Sequence, residues 1–278
     1  MRGAVQGVHG LSEHAGRYER LARALTTQGF AVAALDHRGH GLTAGSTGPG
    51  GFGEGATSDA VLDDVRDLGE RLAAGHPRVP RFLLGHSLGS AVALASAERD
   101  GADLAGLVLS GPIGVAPQLA AAVPQLEAAV AGGLGEQPMD ALGAFTPPSS
   151  RPARPTTGSA ATRGRPTPTW PTRCAATTSR PRTATAPACS RWSPARRAPR
   201  VWPACPAGLP VLLLAGQRDP VGGTDAAQVA APADPLRDGG LPVELRVYPD
   251  ARHEVFNETN RDEVTGDLLG WLGARLGG

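Results

Sequence analysis

The chain has 278 residues, 41% of them hydrophobic, enough to bury one large α/β domain or one domain carrying an inserted cap. Its formal charge of +1 does not point to a polyanion, so nucleic acid is not an expected partner. Lysine is missing and Ile113 is the single isoleucine, a residue usage typical of GC-rich coding DNA.

No apolar run is long enough to span a membrane, and the opening "MRGAVQGVHG" lacks the apolar centre of a signal peptide. A cytoplasmic enzyme is the default expectation, with an export signal lost from a truncated start as the alternative. Cys174, Cys189 and Cys205 are odd in number and lack metal-ligand spacing.

In chain order, "RGAVQGV" reads as a weak core strand, interrupted by Gln6 and Gly7. "RYERLARALTTQ" sets Tyr18, Leu21, Ala22 and Leu25 at helical spacing, and "GFAVAALD" is a buried strand ending at Asp36. "SDAVLDDVRDLGERL" puts Val61, Val65, Leu68 and Leu72 on one helix face. "RFLLG", "LAGLVLSG", "LPVLLLAG" and "PVELRVYP" read as strands. "LGSAVALASAER" and "RDEVTGDLLGWLGARL" read as helices. Such β-α alternation, with strands apolar on both faces, predicts a mostly parallel sheet covered by helices on both sides.

Residues 147–200 break this pattern. They hold eleven prolines and eleven arginines, and no Asp, Glu, Leu, Ile, Val, Met, Phe or Tyr. A segment of that composition has too little apolar surface to offset its ordering entropy.

"GHSLG" places Ser87 between a strand and a helix, the setting of a nucleophile elbow. The other reading is a glycine-rich turn with an incidental serine. A serine nucleophile needs a base, and in this strand–helix arrangement the order is Ser, acid, His. After Ser87 the single histidine is His253, in "DARHEVFNE"; otherwise it is a solvated loop residue. Asp219, just past "LPVLLLAG", is the candidate acid. Asp225 is the alternative, and Asp250 is too near His253 in sequence to be a good partner across a site. Two backbone N–H groups should hold an oxyanion, those of Leu88 and of Leu11 in "VHGLSEH". His9 either orients that loop or packs in the core, and His86 packs inside the elbow. His37 and His40 have superficial metal spacing, but no carboxylate or cysteine set completes a site, so no metal is expected.

These residues resemble a known group. "VHGLSEHAGRYERLARALTTQGFAVAALDHRGHG" is similar to the opening block of the monoacylglycerol lipase and lysophospholipase branch of the α/β-hydrolases. "GHSLGS", "LAGLVLSGP", "LLLAGQRDPV" and "YPDARHEVFNE" follow in that family's order. The resemblance covers residues 5 to 145 and 207 to 276. It implies an α/β-hydrolase fold and a cofactor-free serine esterase acting on small lipid esters. It also places Ser87, Asp219 and His253 on the triad positions, and Leu11 and Leu88 on the oxyanion positions. Transient membrane-surface contact and oligomeric state stay open. So do other chemistries of the fold (thioesterase, peptidase, haloperoxidase) and a non-catalytic relative.

Against the family pattern, Thr43 replaces the usual serine after "GHG", and the first strands are missing. The expected organisation is therefore two core parts, 1–145 and 207–278, with the degenerate stretch 146–206 at the lid position. Its composition is what GC-rich DNA yields out of frame. "TWPTRCAATTS" (169–179) can be encoded so that starting one base earlier reads Asp-Val-Ala-Asp-Pro-Leu-Cys-Gly-Asp-Asp-Phe. "RPTTGSAAT" (154–162) yields Thr-Pro-Tyr-Asp-Trp-Leu-Ser-Arg-Asp by the same shift. Both products resemble lid sequence of the family. A basic linker that binds anionic lipid is the competing reading.

Overall fold

The structure is a computed structural model and describes residues 1–44, 51–52, 56–113, 124–125, 127–134, 205–221, 227 and 231–276. The lid-position stretch thus lies outside the described residues, except for residues 205 and 206, and so does Asp225.

Among the described residues six strands form one parallel sheet: β1 (Gly3–Val8), β2 (Phe30–Leu35), β3 (Arg81–His86), β4 (Leu104–Ser110), β5 (Val211–Gly216) and β6 (Val243–Tyr248). Their order is β2-β1-β3-β4-β5-β6. Parallel strands need crossovers, which are supplied by α1 (Glu19–Thr27), α2 (Ser58–Gly75), α3 (Leu88–Asp100) and α4 (Ala233–Asp238); α5 (Arg261–Gly273) follows β6. Helix α4 lacks a strong apolar period and was not expected from the sequence. Among the described residues no helix is long and apolar enough to cross a membrane.

Side chains alternate along each strand, so the sheet divides the core in two. Leu83, Leu107, Leu109, Val211 and Leu213 pack with Val61 and Val65 of α2, Val92 of α3 and Leu236 of α4. Phe82, Leu84, Val108, Leu212 and Leu214 pack instead with Leu21 and Leu25 of α1 and with Val264, Leu268 and Trp271 of α5. Leu68 is only partly buried; the close approach falls to Gly69, where an added Cβ would lie 2.9 Å from Gln6 Oε1.

Strand β1 is stronger than its sequence suggests. It lies between β2 and β3, and Gln6 is buried because its Nε2 donates to the Val65 carbonyl at 2.7 Å. A buried amide with its hydrogen bond made does not carry the penalty of an unpaired one. Because all six strands run the same way, the loops after β1, β3, β5 and β6 emerge at one edge. The candidate residues stand on those loops.

Candidate active site

The turn after β3 has a steric basis. A Cβ on Gly85 would lie 2.2 Å from the Gly89 carbonyl oxygen, and a Cβ on Gly89 would lie 2.2 Å from that of Val8. Only glycine fits at either position. Between them Ser87 adopts φ 52°, ψ −122°, a conformation that costs a non-glycine residue about 1–3 kcal/mol. The turn is pinned by Ser87 N–H donating to the Ser110 carbonyl at 3.0 Å and Ser90 Oγ donating to the Ser87 carbonyl at 2.6 Å. Leu88 opens α3, so its N–H belongs to the first turn, whose amides a helix cannot satisfy itself.

Asp219 and His253, 34 residues apart, meet through a 2.8 Å hydrogen bond from His253 Nδ1 to Asp219 Oδ2. The Asp219 side chain is wholly buried and that of His253 is 14% exposed. The second Asp219 oxygen accepts the Val221 N–H at 2.8 Å, which fixes the carboxylate plane. A carboxylate facing Nδ1 keeps the proton there and leaves Nε2 as the basic nitrogen. The His253 ring lies 4.9 Å from the ring of His86, the residue before Ser87, so the imidazole stands beside the elbow. Gly111, at the end of β4, makes room for it: a Cβ there would lie 3.1 Å from His253 Nδ1. Asp250 is turned to other work, pairing with Arg218 at 2.7 Å on the surface.

The loop after β1 packs against the elbow, since a Cβ on Gly10 would lie 3.0 Å from Ser87 Cβ. The Gly10 N–H donates to Glu13 Oε1, which fixes the loop one residue before Leu11. His9 both packs and orients. It is 1% exposed; its Nε2 accepts the His37 N–H at 2.9 Å, and its Nδ1 donates to the Gly10 carbonyl at 2.7 Å. Burial pushes His9 down to about 4, so it is neutral at physiological pH. His37 Nε2 returns a bond to the His9 carbonyl at 3.0 Å. His86 packs in the elbow as expected, with Nδ1 3.1 Å from the Ser110 carbonyl oxygen.

Three residues near the site went unassigned in the sequence. The Glu13 side chain is largely buried, and its Oε1 also accepts Tyr18 O–H at 2.8 Å. Burial opposes its ionisation, but His86, Arg17, His9 and the Gly10 amide together hold its carboxyl below the usual value. Arg17 reaches from Glu13 to Glu254. The arginine and glutamate spacing in "SEHAGRY" was visible, but nothing local pointed to Glu254.

With this geometry in place, the family model described as serine aminopeptidase, S33 (Hydrolase_4) matches residues 1–260. The chain belongs to that family. A monoacylglycerol lipase of Mycolicibacterium smegmatis is 29% identical over 99% of this chain and 89% of its own length. The human monoglyceride lipase is 42% identical over 38% of this chain and 33% of its own. Among solved structures, a thermostable carboxyl esterase from Bacillus coagulans superposes with a TM-score of 0.82 at 27% identity, covering 99% of this hydrolase and 91% of that one. The expected α/β-hydrolase fold is therefore the fold of this chain.

Proposed function

We propose that this hydrolase cleaves carboxylic esters, with monoacylglycerols or lysophospholipids as its substrates, through an acyl-enzyme on Ser87. Ser87 Oγ attacks the ester carbonyl carbon while His253 Nε2 takes the hydroxyl proton. Asp219 holds the imidazole tautomer and stabilises the imidazolium without itself taking a proton. The carbonyl oxygen becomes an oxyanion and accepts hydrogen bonds from the Leu11 and Leu88 amides. Collapse breaks the bond to the alcohol oxygen, which leaves with the proton from His253. Water, deprotonated by His253, then attacks the acyl-enzyme, releasing the acid and restoring Ser87. No cofactor enters any step. Substrates of this class lie in lipid surfaces, so turnover includes transient contact with one.

The observation that carries this reading is the 2.8 Å bond between His253 and buried Asp219, formed beside a serine held at positive φ. The names of the relatives support the choice of ester over amide. The family's description as an aminopeptidase keeps peptide hydrolysis as the rival. We read residues 146–206 as the lid position translated out of frame, which would deprive the acyl pocket of its apolar wall and admit water to the site.

The test is a p-nitrophenyl ester series of increasing acyl length against aminoacyl p-nitroanilides, with fluorophosphonate labelling and Ser87→Ala as control. Ester turnover with labelling lost in Ser87→Ala is the expected result. Faster anilide turnover would make the chain a peptidase. Absence of label on folded parent protein would make it a non-catalytic relative.

A further inference from the structure

Two loops that are far apart in sequence flank Ser87: residues 9–14 after β1 and residues 251–257 after β6. The first carries the Leu11 amide and the second His253. Each loop also contains a glutamate, and one arginine lies between the two. Arg17 Nη2 is 2.6 Å from Glu254 Oε2, and Nη1 is 3.5 Å from Glu13 Oε2. Both carboxylates are largely buried, Glu254 with 11% and Glu13 with 7% of the side chain exposed, and Arg17 is 26% exposed.

Each end of this arrangement is tied to the neighbouring backbone. Glu13 Oε1 accepts the Gly10 N–H, one residue before Leu11, and Tyr18 O–H. Glu254 directly follows His253, and its Oε2 also accepts Asn257 Nδ2 at 3.1 Å, closing the 3₁₀ turn Val255–Asn257. Arg17 itself sits in the short 3₁₀ turn Ala15–Tyr18, so it is anchored near Glu13 and reaches across a separation of 237 residues to Glu254. A guanidinium suits this task, because its two amino groups face two carboxylates at once: Nη2 hydrogen-bonds Glu254, and Nη1 makes an ion pair with Glu13. Remove it, and two poorly hydrated carboxylates face each other without the guanidinium between them. Like charges in that setting drive the loops apart.

We propose that Arg17 is a positioning residue for the hydrolysis, a two-pronged strap that sets the distance between the oxyanion amide of Leu11 and the base His253. This rests on the acyl-enzyme reading above. Arg17 touches neither substrate nor reacting atoms; it acts through Glu13 and Glu254. A displacement of about 1 Å in such a constellation costs on the order of 10²-fold in rate. Arg17→Met should therefore lower kcat and the fluorophosphonate labelling rate of Ser87 by about 10²-fold, with KM changed by less than about threefold. Arg17→Lys offers one compact charge instead of two separate amino groups and should recover part of that loss. Glu254→Gln should lower kcat less than Arg17→Met does and, by removing one of the two opposed charges, should restore part of the loss when combined with it.

The experiment is kinetics on the full chain with these four variants, read beside amide hydrogen exchange. Exchange should accelerate in residues 9–14 and 251–257 of Arg17→Met and stay unchanged in β3, β4 and β5. Either of two results overturns the strap: Arg17→Met with kcat within twofold of the parent, or faster exchange throughout the sheet, which would make Arg17 a general stability residue. Hydrogen exchange needs no turnover, so it judges the strap separately. The local exchange pattern in Arg17→Met, found beside a folded parent that takes no fluorophosphonate, would overturn the acyl-enzyme reading, and with it the positioning role of Arg17 in hydrolysis.

Discussion

Gly89→Ala gives a quantitative test of how the elbow is built. The added methyl would lie 2.2 Å from the Val8 carbonyl oxygen and 2.4 Å from that of His9, where ordinary contact begins at 3.4 Å. The overlap is therefore about 1 Å against two backbone atoms. Where side chains can give way, overpacking costs about 1–3 kcal/mol. Here no rotamer change relieves it, so α3 must lift off β1 or the loop after β1 must shift, at a cost of about 3 kcal/mol. For a domain of this size each kcal/mol is worth about 2–4 °C, which predicts a fall in Tm of about 6–12 °C. Moving the His9 carbonyl also drags the Leu11 amide, so fluorophosphonate labelling of Ser87 should slow by at least about tenfold. Thermal unfolding followed by circular dichroism, with labelling at a temperature where both proteins are folded, reads both effects. A Tm within about 2 °C of the parent, with labelling unchanged, would refute the claim that glycine is sterically required at this position.

Asp219→Asn preserves shape and can still accept the Val221 N–H, but it cannot hold the His253 proton on Nδ1. kcat/KM for a p-nitrophenyl ester should fall by about 10³- to 10⁴-fold with Tm nearly unchanged, and a loss below tenfold would exclude the orienting role. Stability should fall as pH drops below about 6.5. His9, His37, His40 and His86 are each held below the ordinary histidine value, chiefly by burial, so between the folded and unfolded values the unfolded chain binds more protons. With His9 pushed down to about 4, that residue alone should remove about 2 kcal/mol at pH 5 relative to pH 7, and its contribution levels off below about pH 4. Urea melts at pH 7 and pH 5 measure this, and a flat profile would contradict it. The nucleotide sequence across codons 140 to 210 should yield acidic and apolar lid-like sequence when read one base earlier. A shifted frame lacking such sequence would end the out-of-frame reading of residues 146–206.

The local parts of this protein are written locally. The elbow follows from glycines at 85 and 89, whose missing side chains let three backbone segments meet. The strands of the core follow from unbroken apolar runs such as "LLL" at 212–214, which bury both faces. The chain order Ser87, Asp219, His253 was readable because parallel strands deliver their following loops to one sheet edge. Helix α4 was missed because its six residues carry too little apolar period. Strand β1 looked weak because the partner of Gln6 lies 59 residues away.

Sequence alone determined the type of every element but α4, the sheet's parallel character and the turn at Ser87, since these follow from apolar periodicity, β-α alternation and the placement of glycines along the chain. Only the tertiary structure decided that Asp219 meets His253 while Asp250 pairs with Arg218, and that Arg17 joins Glu13 to Glu254. Those pairings depend on which loops share an edge and how far apart they stand. Charges and hydrogen bonds act across the few ångströms that folding creates, and sequence separation carries no measure of that distance.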